Sequence, residues 1–136
     1  MLALQFLHAH VHELTAARQQ VGQIAGIGVV RRARLRANRL GEGAQIEAAY
    51  MMGADYYQTI EDMLGDAQAK RPRIGIGERT IVRRAIVDKN ARIGADCRLV
   101  NESGVENADG PNGMYYIRDR IIIVPKNGLL PDGTVV

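Results

Sequence analysis

The 136-residue chain has no tryptophan, one phenylalanine, one cysteine and four prolines. A single cysteine, Cys97, permits no internal disulfide, so covalent bridging cannot hold this fold together. Aromatic residues make up only 4% of the chain, which argues against a thick core built around large rings. No apolar run approaches the ~20 residues needed to cross a bilayer as a helix. Histidine is confined to His8, His10 and His12, so residues 13–136 offer no imidazole base. His8 and His12 share a helical face, but with no third ligand placed beside them they read as surface histidines, and no metal or other cofactor is called for.

What the chain does have is a period of six. Between Ile81 and Ser103 a branched apolar residue returns at Ile81, Val87, Ile93 and Leu99. Four places after each comes a small residue: Ala85, Ala91, Cys97 and Ser103. Six fits neither a helix (3.6) nor an alternating strand (2.0). It fits the hexapeptide repeat of a parallel β-helix, in which the large residue points inward and the small one sits at a corner. The same period places Leu40, Ile46 and Met52 in the large column near the start, and Ile123, Leu129 and Val135 near the end, with Ala44 and Gly133 in the small column. Cys97 then reads as a packing residue. Residues 58–70, closed by Pro72, read as a short helical or irregular insertion, and ENADGPNG after Ser103 as a second projecting loop. GEG and GIG read as corner glycines of the coil. Fifteen glycines suit a chain with many corners.

Charge is uneven. The net charge is +3, yet residues 1–40 carry six arginines against the single acid Glu13. The repeat region is slightly acidic, so it is no basic nucleic-acid surface. The stretch RRARLRANR (31–39) lacks the interleaved aromatics that base stacking uses and reads as a solvated run or a supporting anion contact. Leu7, Val11, Leu14 and Val21 predict a helix over about 2–20, a candidate cap on an open coil end. The expected division is 1–39, a helix and basic leader, and 40–136, the β-helix.

Three phrases, MGADYYQT, RPRIGIGERTIVRRAIVDKNARIG and YYIRDRIIIVPKNGLLPDGTVV, resemble the C-terminal domain of glucose-1-phosphate adenylyltransferase of the plant and cyanobacterial type. The resemblance covers about residues 40–136 with the segments in the family's order. It implies an all-β, single-stranded, left-handed parallel β-helix, and membership of an enzyme that makes ADP-glucose and pyrophosphate from ATP and glucose 1-phosphate for glycogen or starch. The family's catalytic domain has no counterpart in these residues, so the implied role is regulatory and oligomerising, with no catalytic residue here. In the family two lysines of this domain bind phosphorylated activators such as 3-phosphoglycerate. The matching positions are Lys89 and Lys126, two of only three lysines in the chain. Implied partners are a phosphorylated small-molecule effector, a catalytic nucleotidyltransferase domain and further copies or subunits in an oligomer, with no nucleic acid and no membrane. The implied location is the cytoplasm, or the plastid in a photosynthetic eukaryote. The competing readings are a hexapeptide acyltransferase, for which the repeat supplies no histidine base, and an inert assembly module.

Overall fold

The computed structural model describes residues 30, 31, 34, 35 and 39–136, with side chains from Arg39 onward. The helix expected over residues 2–20, His8, His10 and His12, and most of the arginine run 31–39 lie outside the described residues.

Eleven strands, one α-helix and a 3-10 turn (Pro111–Gly113) make up the described chain: β1 (Val30–Arg31), β2 (Arg34–Leu35), β3 (Gln45–Met51), α1 (Ile60–Gln68), β4 (Gly75–Ile76), β5 (Ile81–Val87), β6 (Arg92–Ile93), β7 (Arg98–Leu99), β8 (Asn107–Asp109), β9 (Tyr116–Arg118), β10 (Ile121–Val124) and β11 (Leu129–Leu130). All but β8 and β9 pair in parallel, in three rows. The first runs Val30, Ile46, Val82, Leu99. The second runs Leu35, Met51, Val87, Val124. The third runs Leu40, Ile76, Ile93, Leu130. Partners stand 16 or 17 residues apart, or 36 to 37 where an excursion intervenes, so each row is made by successive passes of one chain.

These rows are the core. Ile46, Val82, Leu99, Met51, Val124, Ile76, Ile93 and Leu130 are fully buried and Val87 nearly so. One aliphatic side chain per position fills the interior, which is why the composition needs so few rings. A second set of small residues lies at the corners: Ala44, Thr80 and Cys97 are all fully buried at equivalent places on three passes. The hydroxyl of Thr80 donates to the Gly94 carbonyl at 2.7 Å and accepts from the Cys97 amide at 3.1 Å, so the one polar member is satisfied. Burial pushes the Cys97 thiol up, in keeping with a packing role.

The seven-residue strands β3 and β5 bend at Ala48 and Arg84, which take φ of 50° and 49°. The bend carries one strand from the first row to the second, and the alternation of faces skips a residue there: Ile46, Ala49 and Met51 point in. At another corner the passes stack backbone on backbone. A Cβ on Gly77 would stand 2.3 Å from the Gly94 carbonyl, and one on Gly41 would stand 2.4 Å from the Glu78 amide. Glycine is required there by close approach.

The structure corrects the phase of the repeat in three places. Val82, not Ile81, enters the core, and Met51 replaces Met52. In the last pass Val124, Leu130 and Val136 take the inward places expected for Ile123, Leu129 and Val135, of which Val135 is 69% exposed. The period of six holds, but a slip of one residue exchanges the two faces of a strand. Ile123 and Leu129 are as branched and apolar as their neighbours, so composition could not choose between them. Ser103 and Gly133 are exposed rather than inward. Ser103 lies where the chain has left the first row, in a turn closed by Asn101, whose side chain accepts from the Val105 amide and donates to its carbonyl.

Two excursions leave the rows. The first, after Met51, contains α1, so of the two forms expected for 58–70, helical or irregular, the chain takes the helical one. Thr59 caps it: its hydroxyl accepts from the Asp62 amide at 3.1 Å, and the Asp62 carboxylate accepts from the Thr59 amide at 2.9 Å. The second forms the antiparallel hairpin β8–β9, which continues onto β10 and extends the second row sideways.

The phase assignment is open to a direct check. Leu130→Ala should destabilise the fold by about 2–5 kcal/mol, the usual range for emptying a buried leucine site. Leu129→Ala, one residue earlier and only partly buried, should cost about 1 kcal/mol. Urea unfolding of the two variants that ranked them the other way would overturn the register.

Candidate functional site

Two passes of the chain turn a corner with nearly the same words. Val87-Asp88-Lys89-Asn90-Ala91 ends the second row in one pass and Val124-Pro125-Lys126-Asn127-Gly128 ends it in the next. Val87 pairs with Val124, which fixes this alignment and places Lys126 directly after Lys89 in the stack. Each lysine is followed by an asparagine in the left-handed region, Asn90 at φ 60° and Asn127 at φ 59°. Asparagine tolerates that conformation better than most residues with a side chain. The Asn127 amide donates to the Lys89 carbonyl at 2.9 Å and stitches the corners together.

The two lysines meet on one carboxylate. Lys89 Nζ lies 3.0 Å from Asp55 Oδ1, and Lys126 Nζ lies 3.1 Å from Asp55 Oδ2. Asn90 completes the arrangement: its Nδ2 donates to Asp55 Oδ2 at 3.2 Å and its Oδ1 accepts from the Asp55 amide at 2.8 Å. Asn90 is itself buried, and its amide donates to the Gly53 carbonyl at 2.9 Å, so the asparagine is a fixed strut. The ammoniums are not buried; Lys89 is 48% and Lys126 54% exposed, and Asp55 is 36% exposed. Hydrogen bonds from Lys89 and then Lys126 hold the Asp55 carboxyl down to about 2. Two positive charges and one negative charge leave the cluster with a surplus of one positive charge at neutral pH, open to solvent. Such a cluster attracts anions; it has no nucleophile and no general base.

A second charged cluster fastens the far end of the same excursion. Asp66, on α1, is only 1% exposed. Its carboxylate accepts from Arg92 Nη1 at 2.5 Å, Gln58 Nε2 at 2.7 Å and Arg71 Nε at 2.8 Å. Arg92 also donates to the Pro72 carbonyl at 2.8 Å, and Gln58 Oε1 accepts from the Ile74 amide at 3.2 Å. Desolvation works to raise the Asp66 carboxyl, but the donors from Arg92, Gln58 and Arg71 outweigh it and hold the group to about 2. With every carboxylate contact taken by its own chain, this cluster is a brace.

Asp96, an outward residue, forms a two-point contact with Arg79 at 2.7 and 3.0 Å, which holds its carboxyl below the usual range. It is therefore paired rather than freely solvated, and neither it nor Asp88 faces a partner for acid–base chemistry. Among the described residues no group of three or more His, Cys, Asp or Glu could hold a metal ion, and no helix is long and apolar enough to cross a membrane. A shallow groove lined by Ala69, Lys70, Arg71, Pro72, Leu129, Pro131 and Asp132 shares no residue with the lysine pair.

Sequence reasoning singled out Lys89 and Lys126, and the structure brings them together. It missed Asp55 and Asn90. The duplicated Val-x-Lys-Asn was a legible signal for the corner; nothing in the local sequence pointed to Asp55, more than thirty residues away. The chain matches the family model of the GLGC left-handed parallel beta-helix domain over residues 17–135.

The Asp66 brace makes a test in acid. Its carboxyl titrates lower in the folded chain than the ordinary value of 3.8. The stability it supplies is thus present above about pH 4 and lost as pH falls toward 2. Asp66→Ala should cost about 3 kcal/mol at pH 7, because it leaves Arg92 without its buried partner. Asp66→Asn should flatten the fall in thermal midpoint between pH 4 and 2; an unchanged acid profile would exclude the brace.

Proposed function

We propose that this chain, which belongs to the family of GLGC left-handed parallel beta-helix domains, serves as the regulatory and assembly part of a glucose-1-phosphate adenylyltransferase. In this reading the strand rows are the faces of a left-handed coil, and Lys89 and Lys126 bind a phosphorylated small-molecule effector. One observation carries it: the two lysines stand on equivalent corners of successive passes and converge on a single carboxylate, with their ammoniums half-exposed.

The chemistry suits the class of ligand. An ammonium on a flexible stem binds a phosphate oxygen as a point charge, and two of them one pass apart provide donors for a dianion. The corners that carry them are fixed by the parallel pairing of β5 with β10, so the lysine separation is set by the strand spacing of roughly 4.8 Å rather than by a loose loop. The described residues supply no nucleophile–base pair, which favours a regulatory or assembly module over an acyltransferase. Synthesis of ADP-glucose from ATP and glucose 1-phosphate then belongs to a catalytic nucleotidyltransferase domain, with this chain changing how that domain answers its effector.

Binding of 3-phosphoglycerate or inorganic phosphate, followed by calorimetry at low ionic strength, should weaken about tenfold in Lys89→Ala and in Lys126→Ala. Their thermal midpoints should stay within a few degrees of the parent, since exposed ion pairs contribute little to stability. In a coupled assay the chain alone should form no ADP-glucose, while its addition to a catalytic domain of the same type should alter activation by the phosphorylated effector. Equal binding by parent and lysine variants would remove these residues from the site.

A further inference from the structure

Asp55 occupies the position that an anionic ligand of the lysine pair would need. Its two carboxylate oxygens take one ammonium each, at 3.0 and 3.1 Å. It belongs to neither lysine-bearing corner: it stands on the excursion that leaves the rows after Met51, and it is held in place by Asn90 on the backbone side. Nothing about the packing of the rows requires a carboxylate there. Asp55 is over a third exposed, and its charge has no contribution to make to the aliphatic core.

We propose that Asp55 is the specificity-determining residue of this site, an internal carboxylate that any anion must out-compete for Lys89 and Lys126. The inference rests on the reading of the two lysines as an anion site and adds a rule for what that site accepts. A singly charged carboxylate brings no more charge than Asp55 already supplies, and it lacks the advantage of being tethered. A phosphate monoester at neutral pH brings nearly two charges and three acceptor oxygens, enough to hold both ammoniums when Asp55 is displaced or left alongside. The site therefore selects phosphate dianions against simple carboxylates, and it does so by repulsion and competition rather than by fit. The depressed titration of the Asp55 carboxyl, near 2, means that this competitor is charged at every physiological pH.

Removing the charge should open the site. Asp55→Asn keeps an oxygen to accept from Asn90 Nδ2 and leaves the backbone amide free to donate to Asn90 Oδ1, and Asp55→Ala removes the group altogether. The probes are inorganic phosphate and acetate, titrated into the full chain at low ionic strength, with circular dichroism melts to confirm that each variant is folded. Both variants should bind phosphate about tenfold more tightly than the parent, the effect of deleting one like charge a few ångströms from the ligand in a solvent-exposed setting. Both should also gain measurable acetate binding, so that the preference for phosphate over acetate narrows. Phosphate affinity unchanged or weakened in both folded variants, with Lys89→Ala still losing it, would overturn the role of Asp55 and leave the lysine site standing. Phosphate binding that is insensitive to Lys89→Ala and Lys126→Ala, or absent from every variant, would remove the site itself and this inference with it.

Discussion

Everything in this molecule depends on one pass of the chain stacking in register on the next. A strand of two residues, such as β4, β6, β7 or β11, has no stability of its own. Its backbone groups are satisfied by the passes on either side: the Gly77 amide donates to the Ile93 carbonyl at 2.8 Å, and the Gly94 amide to the Leu130 carbonyl at 2.9 Å. The same stacking aligns Ile76, Ile93 and Leu130 into a column and closes them from water. Backbone pairing and apolar burial are thus two consequences of one geometry, and neither forms without the other.

Departures from regularity are concentrated in the excursions and carry the charge chemistry. The first excursion exits after the second row and returns before the third. Asp55 fastens its start to two corner lysines, and Asp66 fastens its helix to Arg71 and Arg92. The two fastenings differ in kind. Asp66 is sealed from solvent and fully occupied, so it holds the segment in place. Asp55 is open, and its partners are flexible ammoniums with donors to spare. Open pairing of this sort is weak enough for a ligand to contest. The second excursion is held chiefly by its hairpin, which continues the hydrogen bonding of β10, and its ion pairs, Arg118 with Asp109 and Arg120 with Glu106, lie on the exposed side of that hairpin.

The duplicated corner shows how a repeat becomes a site. Repetition alone places equivalent residues one strand spacing apart. Most such pairs do nothing: Ala49 and Ala85 are an inward pair with a purely packing role. When the equivalent position is outward and holds lysine on both passes, the same repetition produces two like charges at a fixed spacing. Between those two half-exposed charges stands Asp55, which takes one ammonium on each carboxylate oxygen.

The period of six, the small residues of its central run and an insertion near 58–70 were legible from the sequence, because each follows from local composition and spacing. Ala85, Ala91 and Cys97 are buried where that spacing puts them. The phase was not legible at the ends of the run. Ile121-Ile122-Ile123-Val124 offers four equivalent hydrophobes, and only pairing with β5 decides that Ile122 and Val124 face inward beside Ala85 and Val87. The lysines were visible as residues, by resemblance and by rarity, while their convergence was not. Asp55 and Lys126 are far apart along the chain, and what joins them is the return of the chain to the same corner after each pass. Sequence by itself determined the repeat and therefore the kind of fold, since an inward column needs only one suitable side chain per turn. Tertiary structure alone decided the site, since a charge cluster drawn from two corners and an excursion exists only once the passes are stacked.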